Sequence, residues 1–316
     1  MYRTGTDSEL MQILIDAARK GKEVTVVVEL MARFDEEANL NWAARLEEVG
    51  AHVVYGVVGH KTHAKMALVV RREEARRQGA APLRAPRDRQ LPPARPRAST
   101  PTSACSPANE DICADVDRGV QAAHRPRPRR QDEARLAVAV HAAQAHRRRH
   151  PRTKRSTRAE GKPARIIAKM NALLEPQIIE ELYAASTAGR EDRPAGARRV
   201  RAASRASRAS RRTSACARSI GRFLEHSRVF YFSNGGADDV YLASADWMDR
   251  NFFRRIELCF PVLDPALKRR VIREGLQPYL DDNCQAWVMN ADGGYERLRP
   301  RKGAVAARRR KSCCLR

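Results

Sequence analysis

An α/β fold is what this sequence predicts, and three observations carry it. Strand-type and helix-type patterns alternate through residues 1–74. Ordinary globular sequence returns at Gly161–Gly189 and from Arg218 to about Leu298, and no apolar run is long enough to span a membrane. In the first stretch, Ser8–Lys20 carries Leu10, Ile13, Leu14, Ala17 and Ala18 at helical spacing, and Glu23–Leu30 is a β-branched run suited to a buried strand. Asp35–Val49 predicts a second helix, with Leu40, Ala44 and Leu46 toward a core and Gly50 as its stop. Val53–Val58 and Ala64–Val70 predict two more strands, and strand–helix–strand order implies a parallel or mixed sheet covered by helices. In the second stretch, Ile166, Ile167, Met170, Leu173, Leu174, Ile178, Ile179 and Leu182 predict one amphipathic helix within Gly161–Gly189. A strand at Val229–Phe232 and a helix over Pro265–Leu276 follow.

A chain of 316 residues is long enough for two domains. Its net charge of +24 would point to a polyanion partner, but the charge is concentrated. Ala75–Ser106 has seven arginines against Asp88. Arg118–Ala159 has twelve arginines and Lys154 against Asp132 and Glu133, and Arg190–Cys216 has nine arginines against Glu191 and Asp192. These three Arg/Ala/Pro/Ser-rich stretches hold the whole net charge, so a site argued from bulk charge depends on them alone. They divide the chain into a first α/β unit at 1–74 and an interrupted segment at 75–159 with an ordinary island at 108–117. A second unit at 160–298 is broken at 190–216, and a basic tail covers 299–316. Basic disordered linkers are one reading of the stretches. The seven cysteines show no metal spacing, and Cys313 and Cys314 are adjacent, so reduced thiols are expected. With no signal peptide at the start, cytoplasm is the expected location, with membrane association as the alternative.

Several blocks carry a resemblance. They are MYRTGTDS, the run from VVVELMARFDEEANLNWAARLEEVG to GHKTHAKMALVVRREE, GKPARIIAKMNALLEPQIIEELYAAS, and RSIGRFLEHSRVFYFSNGG followed by VYLASADWMDRNFFRRIELCFPVLDP. Long, ungapped and in order, they resemble the C-terminal catalytic half of the polyphosphate kinases. The family's N-terminal half, which carries its dimerising part, has no counterpart here. The resemblance implies two phospholipase D-like α/β domains. It also offers a second reading of the basic stretches, as GC-rich DNA translated out of frame. Ala137–Arg147 (AVAVHAAQAHR), shifted by one base, can read QSPFTLHKR, and Arg190–Arg201 (REDRPAGARRVR) can read VKIDLLVRGVC. Shorter shifts recover GNYHP near Arg89–Pro93 and YTDFGL near Ser99–Cys105. Long structureless insertions rarely interrupt compact domains, which favours the frame reading. On that reading the V-K-I-D-L strand, a partner for Val229–Phe232, is lost, and the second domain is expected to be incomplete and poorly stable.

The chemistry expected of the site follows from the same blocks. His63 and Lys65 stand in T-H-A-K, where strand geometry would put both side chains on one face. An imidazole nitrogen is a good nucleophile toward phosphorus, and a neighbouring cation steadies the transferring oxygens. On spacing alone, H-x-K describes a structural strand-end histidine more readily, since isolated H-x-K is common. The resemblance implies that His63 is the phosphohistidine taking the γ-phosphoryl group of ATP, with Lys65 beside it. It places His226 and Arg228, in E-H-S-R, at the ATP site, followed in family order by Ser244, Asp246, Trp247 and Asn251. Arg3 and Arg33 match arginines around the phosphates and Mg²⁺, and guanidinium groups suit phosphate oxygens. His52 and His60 match no functional position and read as surface residues; Arg198 is given no role. ATP, ADP and inorganic polyphosphate are the implied partners, with no specific nucleic acid. A non-catalytic basic protein binding polyanions and a phospholipase D-type phosphodiesterase are the alternatives.

Overall fold

The computed structural model describes residues 1, 4–32, 34–57, 59–70, 164–187, 191–195, 199–200, 216–219, 226–234, 237–290 and 292–300. The first two basic stretches, most of the third, and Arg3, Arg33 and Arg198 lie outside the described residues.

The first unit is a small helix–strand–helix–strand assembly. Helices α1 (Glu9–Arg19) and α2 (Glu36–Glu48) accompany strands β1 (Thr25–Val28) and β2 (His52–Tyr55), which pair in parallel. Both helices end in the same way. Gly21 (φ +73) and Gly50 (φ +82) take the left-handed conformation just past each helix. The following residues, Lys22 and Ala51, then donate back to the Ala17 and Leu46 carbonyls, the bond pattern of a Schellman stop. The core is Met11, Ile15, Val26, Val28, Trp42, Ala43, Leu46 and Ala51. The expected inward stripe of α2 is therefore corrected. Leu40 is half exposed and Ala44 exposed, because Asn39, Trp42, Ala43 and Leu46 form the buried i, i+3, i+4, i+7 row. The Trp42 indole fixes that rotation by donating to the Gly5 carbonyl at 2.8 Å, while Thr4 Oγ1 donates to Asn39 at 2.8 Å. In α1 Leu10 and Ile13 face outward, and Met11 and Ile15 face in.

The second unit is built on an eight-stranded mixed sheet. Its strands are β4 (Ala164–Lys169), β6 (Glu191–Ala195), β8 (Ala217–Ser219), β9 (Arg228–Asn234), β10 (Ala237–Ala243), β12 (Cys259–Pro261), β13 (Ala286–Met289) and β14 (Tyr295–Arg297). Their spatial order is β12-β10-β9-β4-β6-β8-β13-β14, and two short strands, β5 (Ala172–Leu173) and β7 (Arg199–Val200), pair in parallel beside it. Helix α3 (Pro176–Thr187) covers one face, packing Ile178, Ile179 and Leu182 on Ile166, Ala168, Met170, Phe230, Phe232 and Trp247. The other face, with Ile167, Val229, Val240 and Val262, lies beneath a continuous C-terminal helix. That helix is α4 (Pro265–Val271), a π-helical turn (Ile272–Leu276) and α5 (Gln277–Leu280). Asp264 caps it, its carboxylate accepting from Leu267 N at 2.7 Å, and Pro265 opens it. Among the described residues no helix is long and apolar enough to cross a membrane.

Three expectations are corrected here. The single helix expected within Gly161–Gly189 is two elements. Ile166 and Ile167 are 4% exposed on opposite faces of β4, a central strand with both faces covered, and the helix starts only at Pro176. The partner expected for Val229–Phe232 is the segment after Arg190, but β6 there runs parallel to β4 and to β8, and β4 rather than β6 lies beside β9. Backbone groups form such a ladder whatever the side chains, although Pro194 has no N–H to contribute. The strand expected at Ala64–Val70 is absent. The described strand is β3 (Lys61–Thr62), and Val69 and Val70, 87% and 81% exposed, lie beside no described strand. β-branched residues form a strand only where a partner supplies the ladder.

Candidate functional site

The two units meet where β3 pairs in parallel with β11 (Arg255–Ile256), Lys61 opposite Arg255 and Thr62 opposite Ile256. The Ile256 carbonyl closes this ladder by accepting from the backbone of His63 (3.0 Å) and Ala64 (2.8 Å). That termination sets His63 beside Glu257, the next residue on each strand. His63 Nδ1 donates to Glu257 Oε2 at 2.9 Å, and the Glu257 carboxylate is 1% exposed. The same oxygen accepts from Ser244 Oγ at 2.6 Å, while Ser244 Oγ accepts from Leu258 N at 2.7 Å. The carboxylate can only accept, so it keeps the proton of His63 on Nδ1 and the lone pair on Nε2. Arg255 lies 3.8 Å from Oε1, beyond direct hydrogen bonding. Lys65 Nζ donates to the His63 carbonyl at 2.6 Å, so Lys65 stays against His63 without the strand that was expected to align them.

On the first unit's side, Glu29 closes the end of β1. It is 4% exposed, and its carboxylate accepts from Met31 N (2.9 Å) and Thr62 N (2.5 Å). Its backbone carbonyl accepts from Asn39 Nδ2 at 2.9 Å. This buried acid ties β1, α2 and β3 together just before His63.

His226 and Arg228 come from the approach to β9. Arg228 makes a two-pronged pair with Asp246, Nε to Oδ1 at 2.9 Å and NH2 to Oδ2 at 3.0 Å, and its NH1 donates to His226 Nδ1 at 2.9 Å. Asp246 is held further by Asn171 N (2.8 Å), and its backbone carbonyl by Asn251 Nδ2 (3.0 Å). Burial, then the Arg228 charge, pushes the His226 pKa down to about 4 against the pull of the Asp246 carboxylate, and the nearby His63 and Lys65 act in the same direction as Arg228. The four predicted residues therefore form one electrostatically linked group, with His226 neutral near pH 7. A neutral His226 accepting at Nδ1 carries its proton on Nε2.

The lowered pKa sets a stability prediction. The unfolded chain takes up the His226 proton near pH 6.5 and the folded chain only near 4. The stabilisation is complete above 6.5 and lost as pH falls toward 4. Urea unfolding of wild type should lose stability over this window by more than His226→Gln does; equal losses exclude the assignment.

Ser244, Asp246 and Asn251, noted in sequence as following His226, thus support the two histidines. Trp247 is a packing residue, its ring 4.8 Å from Phe230. His52 is exposed on β2, as expected, and His60 is half-buried in a turn, its N bonded to the Val57 carbonyl. Glu257 and Glu29 were missed. Each is a lone acid inside a short apolar run, I-E-L-C-F and V-V-V-E-L-M, and that is the signal of a buried acid with a partner. The magnesium expected from the resemblance finds no protein cage among the described residues. They hold no group of three His, Cys, Asp or Glu able to bind a metal, and Asp246 and Glu257 are engaged by Arg228, Ser244 and His63.

An α/β protein that brings two histidines, a lysine and an arginine together where two units join suits phosphate chemistry. Residues 1–83 match the family model of polyphosphate kinase C-terminal domain 1, and residues 136–308 match that of C-terminal domain 2. The chain belongs to the polyphosphate kinase family. It is 48% identical over 315 residues to the polyphosphate kinase of Paraburkholderia phytofirmans, and 49% identical over 311 residues to that of Burkholderia cenocepacia. Each match covers 96% of this chain and 44% of the relative, so the chain spans less than half the length of these relatives. The crystal structure of polyphosphate kinase from Porphyromonas gingivalis superimposes with a TM-score of 0.71 at 29% identity, over 98% of this chain and 46% of that one.

Proposed function

We propose that this chain carries the phosphoryl-transfer centre of a polyphosphate kinase, with His63 as the covalent carrier. The observation that supports it most is the Glu257–His63 bond, which presents the Nε2 lone pair of His63 within reach of the charges of Lys65 and the His226–Arg228 pair. In the forward direction Nε2 attacks the γ-phosphorus of ATP, the bond to the bridging oxygen breaks, and ADP leaves. A terminal oxygen of polyphosphate then attacks the phosphohistidine, the P–N bond breaks, and the polymer gains one unit. The reverse sequence makes ATP. Lys65 balances charge on the transferring oxygens, and the Nε2–H of His226 supplies a hydrogen bond to phosphate without adding a further positive charge. Magnesium would ride on the nucleotide's own phosphates rather than in a protein cage, where it would neutralise their charge.

Incubation of the full chain with γ-labelled ATP tests this. Acid-labile label on wild type, absent in His63→Ala, is the expected result. Soluble, folded protein that takes up no label overturns the reading for this chain.

A further inference from the structure

We propose that Lys169 is a positioning residue for the second histidine: its buried ammonium clamps Ser227, the residue between His226 and Arg228. The inference rests on the reading of His226 as part of the phosphate site.

Lys169 is the last residue of β4 and is 1% exposed. An ammonium group taken out of water is strongly disfavoured unless it is well partnered. The β4 alternation sends Lys169 to the same face as Ile167, the apolar layer beneath the C-terminal helix, where a leucine or methionine would pack without that cost. The ammonium instead meets a specific set of groups. Nζ donates to Ser227 Oγ at 2.5 Å and to the Ser227 carbonyl at 3.2 Å, and it stands 4.2 Å from the centre of the Tyr279 ring. Tyr279 sits on the helix just past the π-helical turn at Ile272–Leu276.

The geometry gives this arrangement a purpose. Ser227 and Arg228 are adjacent and project to opposite faces of the sheet. Asp246 grips the Arg228 guanidinium on one side, and Lys169 grips Ser227 on the other. His226, the next residue back, takes its ring position from Arg228 NH1, which donates to both its Nδ1 and its backbone carbonyl. Removing either grip lets the Ser227–Arg228 segment turn, and the histidine turns with it.

The test is the imidazole proton–nitrogen correlation spectrum of the full chain, with His226→Gln assigning the relevant signals. In wild type His226 should show the single neutral form protonated on Nε2. In Lys169→Met, of similar length and without charge, that single-form pattern should be lost and the His63 signals should stay in place. If Lys169→Met does not fold, Ser227→Ala removes only the Oγ contact and should shift the same signals by a smaller amount. A folded variant of either kind with unmoved His226 signals overturns the proposal. The spectrum is read without turnover, so labelling of His63 by ATP succeeds or fails independently of it.

Discussion

Replacing Glu257 with glutamine should slow phosphorylation of His63 by about ten-thousandfold, the scale of loss in a serine protease when the carboxylate orienting its histidine is made an amide. The substitution changes few atoms and leaves ATP-contacting groups alone, so ATP affinity should hold. The loss has a specific cause. Glu257 Oε2 accepts from both His63 Nδ1 and Ser244 Oγ. An amide in the same buried slot can aim its NH₂ at His63, which places the proton on the wrong ring nitrogen and removes the lone pair from Nε2. Single-turnover labelling against ATP concentration reads the two quantities separately. A rate within threefold of wild type would show that Glu257 does not orient the nucleophile.

Single-base corrections that restore the alternative frame should stabilise the second unit by on the order of 5 kcal/mol, because three or more apolar side chains enter a central strand. β6 occupies residues 191–195, where the shifted reading supplies V-K-I-D-L, and it lies between β4 and β8 in the interior of the sheet. As printed, that position holds Glu, Asp, Arg, Pro and Ala. Charged residues and a proline are the wrong chemistry for a strand with neighbours on both edges. Urea unfolding of the two forms measures the difference, and resequencing the gene shows which form the organism encodes. A corrected protein that unfolds at the same urea concentration as the printed one would mean that the basic stretches are linkers and that β6 is tolerant of its composition.

Much of the architecture was legible along the chain because local rules govern it. The helix stops at Gly21 and Gly50, the buried run of β1, the strand at Val229–Phe232 and the proline-opened C-terminal helix follow from backbone conformation and short-range periodicity. Ile166 and Ile167 were misread as helix because a short apolar run is consistent with either element. The neighbouring strands β6 and β9 decide for a strand. The direction in which α2 turns was equally hidden, since the Trp42–Gly5 bond that sets it joins residues far apart in sequence.

The site divides along the same line. His63, Lys65, His226 and Arg228 could be named from sequence, because reactive residue types in recurring blocks are a one-dimensional signal. Their assembly could not. His63 and Glu257 are 194 residues apart, and the bond between them exists only because β3 and β11 pair in a register that puts them side by side. By itself the sequence determined the local elements, the family and the reactive residues. Only the tertiary structure decided which acid orients which histidine and which buried lysine holds the loop before β9, because such pairings depend on strand register and burial rather than on distance along the chain.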